Sequence, residues 1–173
     1  ELLMDKMERS GLVSYVGKVN MDREAPDLLK EKDADASANY TVRWLDSVIE
    51  KHYINTKPIL TPRFIPACSD ELMSKLRKIQ IDYRLPVQSH LSENKNEIEF
   101  VKMLRPGNAF YGEVYDEYDL FGKSKSSDAV VNTIMAHCVW SDESEMDLIK
   151  NNGVFVAHCP ASNMNLASGI APV

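Results

Sequence analysis

Cysteine is scarce in this chain, and what there is carries no pattern. The three, Cys68, Cys138 and Cys159, are odd in number and include no C-x-x-C pair. This rules out a disulfide framework and a cysteine-type zinc site as organising devices, and it fits a reducing, cytoplasmic location. No apolar run approaches the roughly 18 residues that cross a bilayer. The opening Glu1-Leu2-Leu3-Met4-Asp5-Lys6 has neither the basic-then-apolar layout of a secretory signal nor an initiating methionine, so it reads as other than a natural amino terminus. Positive charge is in deficit, with 20 Lys and Arg against 26 Asp and Glu for a net charge of -6. That sign argues against nucleic-acid backbones and anionic membranes as partners. No G-x-G-x-x-G follows the first strand, which removes a Rossmann phosphate loop, and no H-x-H occurs anywhere.

What is present suffices for one domain. The chain has 173 residues, 44% hydrophobic and 27% charged, enough to bury a core and stay soluble. Its segments alternate. Residues 1–10 read as a helix tail ended by Gly11, and Val13–Val19 as a strand. Residues 25–38 are charged and poor in large apolar side chains, a loop or short helix. Asn39–Tyr53 has helical spacing at Val42, Leu45, Val48 and Ile49. Lys57–Thr61 is a strand, and Ser69 caps a helix to about Tyr83. Pro86–Ser89 is a strand, followed by a helix from Asn94 or Lys95 that stops at Pro106-Gly107. Tyr111–Phe121 is a short helix and Ser124–Ser127 a loop. Ile134–Cys138 is a strand. Ser141 caps a helix through Lys150 with Met146 and Ile149 inward, and Val154–Ala157 is the last strand. Residues 159–166 read as loop. Short apolar strands separated by helices predict an α/β fold with a parallel sheet, arranged as an arc of a (βα) barrel whose active groups sit after the strands.

Three of these strands end in histidine. His90 stands in H-x-x-E with Glu93 just after its strand. A neutral imidazole there can bind zinc, and a carboxyl three residues on can carry a proton from attacking water to a leaving amine. His137 ends the next helix-separated strand, where it and His90 could share one metal-held water. On the residues alone, the alternative for His90 is a satisfied core histidine, and for His137 a histidine bonded to a backbone carbonyl. The guanidinium of Arg63 can hold a carbonyl or ring edge and Phe64 can stack on a flat base, or Arg63 can pair with one of many acids. His158 can orient the loop carrying Ser162-Asn163, and His52 reads as exposed. Trp44 and Trp140 read as packing residues, and the cysteines as small buried side chains.

Several segments in order carry a resemblance. They are Tyr15-Val16-Gly17-Lys18-Val19-Asn20-Met21-Asp22, Thr61-Pro62-Arg63-Phe64 with Cys68-Ser69, Ser89-His90-Leu91-Ser92-Glu93-Asn94, His137-Cys138-Val139-Trp140, and Val156-Ala157-His158-Cys159-Pro160-Ala161-Ser162-Asn163 running on to Ser168-Gly169. Over nearly its whole length the chain is similar to the amidohydrolase superfamily, in its purine and pyrimidine deaminase branch, and within that to the guanine deaminase family. The resemblance implies an eight-stranded metal-dependent barrel with a small β-domain, one zinc ion, and hydrolysis of guanine to xanthine and ammonia. It implies His90 as a metal ligand, Glu93 as proton shuttle, and His137 at the metal-held water, as ligand or orienting group. It also implies Arg63 and Phe64 as purine-binding residues. An open arc of barrel leaves two strand edges unpaired, and through them the chain is expected to form a homodimer or to be poorly soluble. The family's H-x-H after the first strand and its aspartate after the last are missing. Residues 1–173 are therefore expected to be part of the catalytic barrel domain, roughly strands three to seven, without the first two strands, the last strand or the small β-domain. Isolated, such a piece should bind zinc weakly and lack turnover. Competing expectations are a relative acting on another aminopurine, a pyrimidine or a triazine, and a non-catalytic domain that binds a purine or a partner.

Overall fold

Strands and helices alternate along the chain in the computed structural model, which describes residues 2–125 and 129–172. Helix α1 (Leu2–Ser10) leads into β1 (Ser14–Val16) and β2 (Val19–Asn20), and α2 (Ala34–Ile49) into β3 (Thr56–Pro58) and β4 (Thr61–Pro62). A 3-10 turn (Ile65–Ala67), α3 (Asp70–Tyr83) and β5 (Val87–Leu91) follow. Then come α4 (Lys95–Leu104), α5 (Tyr111–Glu117), β6 (Thr133–His137), α6 (Glu143–Asn152), β7 (Phe155–Ala157) and α7 (Pro160–Asn165). No helix among the described residues is long and apolar enough to cross a membrane.

Every pairing between these strands is parallel: β1 with β3, β2 with β4, β5 with β6, and β6 with β7. Leu60 joins the two groups, its N–H donating to the Pro86 carbonyl and its carbonyl accepting from Gln88 N–H, each at 2.9 Å. Five strand lines thus lie side by side in chain order, with helical crossovers between them, as a parallel sheet requires. Leu72, Leu76, Val87, Leu91, Met135, Tyr115 and Phe121 are buried in one apolar core. Each such side chain contributes about 1.5–3 kcal/mol by leaving water. Tyr15 from the first line and Phe155 from the last line one cavity of about 410 Å³ together with Ile134.

The differences from the sequence reading have physical causes. The first strand is interrupted at Gly17-Lys18, where Thr61 comes so close that only glycine fits. A Cβ on Gly17 would lie 1.9 Å from Thr61 Oγ1 and 2.4 Å from the Ile59 carbonyl oxygen. Helix α2 starts at Ala34, ahead of Asn39, because Asp33 caps it by accepting from Ala36 N–H at 2.8 Å. Its first turns bury Ala34, Ser37 and Ala38, small residues that leave no large-apolar rhythm. Helix α6 is capped by Asp142 in place of Ser141, through Glu145 N–H at 2.9 Å. Ile149 is buried on that helix as expected, whereas Met146 is exposed. Residues 160–165 are helical where a loop was expected; Pro160 opens α7, as proline does well at a first helical position, but six mostly polar residues show no period. Of the loop read at Ser124–Ser127, Ser126 and Ser127 lie outside the described residues.

Two carboxyls are buried where α4, α5 and α6 meet. Glu145 is 1% exposed and Glu97 8%. Burial pushes Glu97 up to about 7, opposed by the Tyr111 hydroxyl and reinforced by Glu93 and Glu145. Burial likewise raises Glu145, against the nearby Ser141 and the hydrogen bonds from the Ser92 hydroxyl and the Gly112 N–H.

Two measurements check this architecture. Gly17→Ala should destabilise the protein by about 1–3 kcal/mol through overpacking, read as a lower urea midpoint; an unchanged midpoint contradicts the close approach. Glu97 holds its proton more tightly folded, near 7, than its ordinary 4.5. Its contribution to stability is full below about pH 4.5 and is lost as pH rises to about 7, because the folded state binds the extra proton across that window. Glu97→Gln should flatten that decline in pH-dependent unfolding, and a decline of the same steepness counts against the buried acid.

Candidate functional site

Strand alternation would keep His90 and His137 apart. In the β5–β6 register His90 faces Ala136 and Leu91 faces His137. Residue 137 thus falls on the face of Met135 and Leu91, away from His90. The backbone reverses this. His137 has φ +77 and Cys138 φ +49. The Cys138 N–H reaches back to the Ala136 carbonyl at 3.2 Å, closing a γ-turn of the rare positive-φ kind centred on His137. The imidazole of His137 then stacks on that of His90, ring centroids 5.2 Å apart and planes 23° from parallel. Each left-handed residue costs about 1–2 kcal/mol. A second bond, from Cys138 N–H to the Leu91 carbonyl at 2.9 Å, helps to hold the turn.

Both rings are fixed through the same nitrogen. His90 Nδ1 lies 2.6 Å from the Arg63 carbonyl oxygen. A carbonyl only accepts, so Nδ1 carries the proton and Nε2 keeps its lone pair. Burial lowers the pKa of His90, with His137 and Arg63 adding to that and the Arg63 carbonyl and Glu93 opposing it. The ring is therefore neutral near pH 7, the form that binds metals. His137 Nδ1 lies 2.8 Å from Asn163 Oδ1, which leaves its Nε2 free in the same way. Glu93 brings Oε1 to 3.5 Å from His137 Nδ1. Glu93 Oε1 and Asn163 Nδ2 are buried with no hydrogen-bond partner among the described residues. Unpaired buried polar atoms cost about 1–3 kcal/mol each, and here both belong to residues beside His137 Nδ1.

The Arg63-Phe64 segment crosses the end of β5. Phe64 meets the His90 ring edge-on at 6.5 Å, and the Arg63 guanidinium lies 5.3 Å from the Phe64 ring centre. Arg63 Nη1 reaches Met21 Sδ at 3.8 Å, and among the described residues Arg63 makes no ion pair. The segment is pinned from behind. Arg63 N–H donates to the Asn20 carbonyl at 3.1 Å, and Asp22 accepts from Ser69 N–H at 2.7 Å. Arg23 donates to the carbonyls of Ile65, Pro66 and Cys68.

All five residues singled out from the sequence, Arg63, Phe64, His90, Glu93 and His137, therefore lie in one continuous cluster. Sequence reasoning misses Asn163 as the partner of His137. It attaches the loop of Asn163 to His158, which is exposed. It also misses the Arg63 carbonyl as the anchor of His90. No side-chain pattern reports a backbone acceptor, whereas the Ser162-Asn163 pair is visible in the sequence without a partner. Cys68 and Cys138 are buried, and burial pushes both thiols up to about 12, which makes them inert packing groups.

The donor set suits part of a metal site. Two imidazoles, each engaged through Nδ1, fit zinc chemically through Nε2, but a catalytic zinc takes three protein ligands. Among the described residues no group of three or more His, Cys, Asp or Glu side chains could hold a metal ion. The chain by itself supplies a partial set.

The chain is 40% identical over 169 residues to a guanine deaminase of Dictyostelium discoideum, covering 98% of this chain and 36% of that protein. It is 37% identical over 172 residues to the guanine deaminase of Rattus norvegicus, covering 99% of this chain and 36% of that protein. A crystal structure of guanine deaminase from C. acetobutylicum, with guanine bound in its active site, superposes with a TM-score of 0.88 at 47% identity, covering 99% of this chain and 39% of that one. The chain thus spans about 36% of the length of these curated relatives. The Amidohydrolase family model matches residues 1–173, and the chain belongs to the amidohydrolase family.

Proposed function

We propose that these residues are the central part of a guanine deaminase, a zinc-dependent hydrolase converting guanine and water to xanthine and ammonia. The observation that carries the reading is the convergence of the His90 and His137 rings, each with Nδ1 engaged and Nε2 free, beside the Glu93 carboxyl. The 47% identity to a deaminase with guanine bound supports the choice of substrate. We also read the five parallel lines as an arc of a (βα) barrel, roughly strands three to seven. The parallel order and the cavity shared by Tyr15 and Phe155 support this.

In this reading His90 holds zinc through Nε2, and the remaining ligands come from chain outside these residues. When bound, zinc activates water and stabilises charge as a Lewis acid. Phe64 packs a face against the purine and the Arg63 guanidinium donates to its polar edge. His137 directs the attacking water through Nε2. Glu93 accepts one proton of that water and delivers it to a ring nitrogen; it then takes the second proton, from the hydroxyl now on the carbon, and passes it to the amino group, which leaves as ammonia as the C=O forms. A carboxylate with one unpaired buried oxygen, Oε1, is suited to a proton that arrives and departs.

Ammonia release from guanine tests this. The complete protein should turn guanine over and lose activity when zinc is chelated. Residues 1–173 alone should release none, for want of ligands. In the complete protein Glu93→Gln should cut kcat about 10²–10⁴-fold, the usual worth of a positioned acid–base group. Turnover by residues 1–173 alone, or full activity of Glu93→Gln, contradicts the reading.

A further inference from the structure

One buried carboxyl has no part in the chemistry above. Glu145 stands on α6, a helix that gives no side chain to the cluster, and it is 1% exposed. Burying a carboxyl is expensive unless its oxygens are satisfied, and both of these are. Oε2 accepts from Ser92 Oγ at 2.7 Å and Oε1 accepts from Gly112 N–H at 2.7 Å. Gly112 leaves room for this grip, since a Cβ there would come within 3.3 Å of Glu145 Oε1.

Ser92 is the residue before Glu93, and its φ is +46, a left-handed conformation that the chain must be held in. Two bonds from the segment after β6 hold it. Glu145 takes the hydroxyl, and Trp140 N–H donates to the Ser92 carbonyl at 2.9 Å. On the other side of Glu93, Asn94 accepts from Glu97 N–H at 2.9 Å as the cap of α4. The Glu93 backbone is thus suspended between two pinned neighbours, which fixes where its carboxyl can reach. A hydrogen bond from a serine hydroxyl to a carboxylate is stronger than one between neutral groups, so Glu145 is the firmer of the holds on Ser92.

We propose that Glu145 is a positioning residue for Glu93, acting through the Ser92 hydroxyl and anchored on the far side by Gly112 N–H. The consequence for catalysis rests on the reading of Glu93 as the proton carrier. The structural consequence does not.

The test uses the complete protein and the variants E145A, E145Q, S92A and S92A/E145A, with kcat and KM for guanine and a crystal structure of E145A. With the hold removed, kcat should fall about 100-fold in E145A, as expected for an ångström-scale misplacement, with KM nearly unchanged. E145Q should recover most of the loss, because its amide can accept from Gly112 N–H while donating to the Ser92 oxygen. S92A should share the loss, and S92A/E145A should be no worse than E145A, since both changes break one link. In crystals of E145A the separation of Glu93 from His137, 3.5 Å in the native chain, should change by about 1 Å. Unchanged kcat in E145A, losses that multiply in full in the double variant, or an unmoved Glu93 carboxyl overturns the proposal. If E145A does not fold, the decision passes to S92A, read by the same kinetics and crystal structure, and a native kcat or an unmoved Glu93 there overturns it. An inactive wild type overturns the functional reading alone, and the Glu93 position in the crystals then decides the proposal by itself.

Discussion

Side chains on a β-strand alternate, and alternation would send the imidazole of His137 into the face occupied by Met135 and Leu91. The γ-turn at the end of β6 cancels that rule for one residue and brings the ring onto His90. The rest of the cluster depends on this reversal. Without it Asn163 has no imidazole to hold, Glu93 faces no base, and the two Nε2 atoms cannot share a ligand. The local cost of two consecutive left-handed residues is of the order of 2–4 kcal/mol, offset by the surrounding bonds of Cys138 N–H and Asn163. Strain of this kind, over-determined by its neighbours, is characteristic of sites that must hold one geometry.

The supports of the cluster come from elements that contribute no reacting group. The backbone of Arg63 orients His90, and Asn20, Asp22 and Arg23 orient the Arg63 segment from the first strand line. Helix α6 steadies the loop of Glu93 through Glu145, and α7 steadies His137 through Asn163. All five strand lines therefore converge on one rim, either directly or through a single hydrogen bond. A parallel sheet makes this possible because all its strands deliver their carboxyl ends to the same side.

Much of this is legible in the order of the amino acids. Period and caps locate the helices at 70–83 and 95–104 and the strands ending in His90 and His137, and the same strand ends name the cluster. What escapes is set by contacts that composition does not record. The close approach that demands glycine at position 17 comes from Thr61, more than forty residues away. The early start of α2 is hidden by small buried residues. Helix α7 is too short to show a period. The choice of Asp142 over Ser141 as a cap lies between two competent neighbours. The reversal at His137 is the least visible of all, because its sign is a backbone angle at a residue that seldom adopts it.

The most direct test of the account is anomalous diffraction at the zinc edge from crystals of the complete protein. The account predicts one peak bonded to Nε2 of His90, with the His137 ring turned to the same side. A peak bonded to neither ring, or a His137 imidazole buried on the opposite face beside Met135, would contradict it.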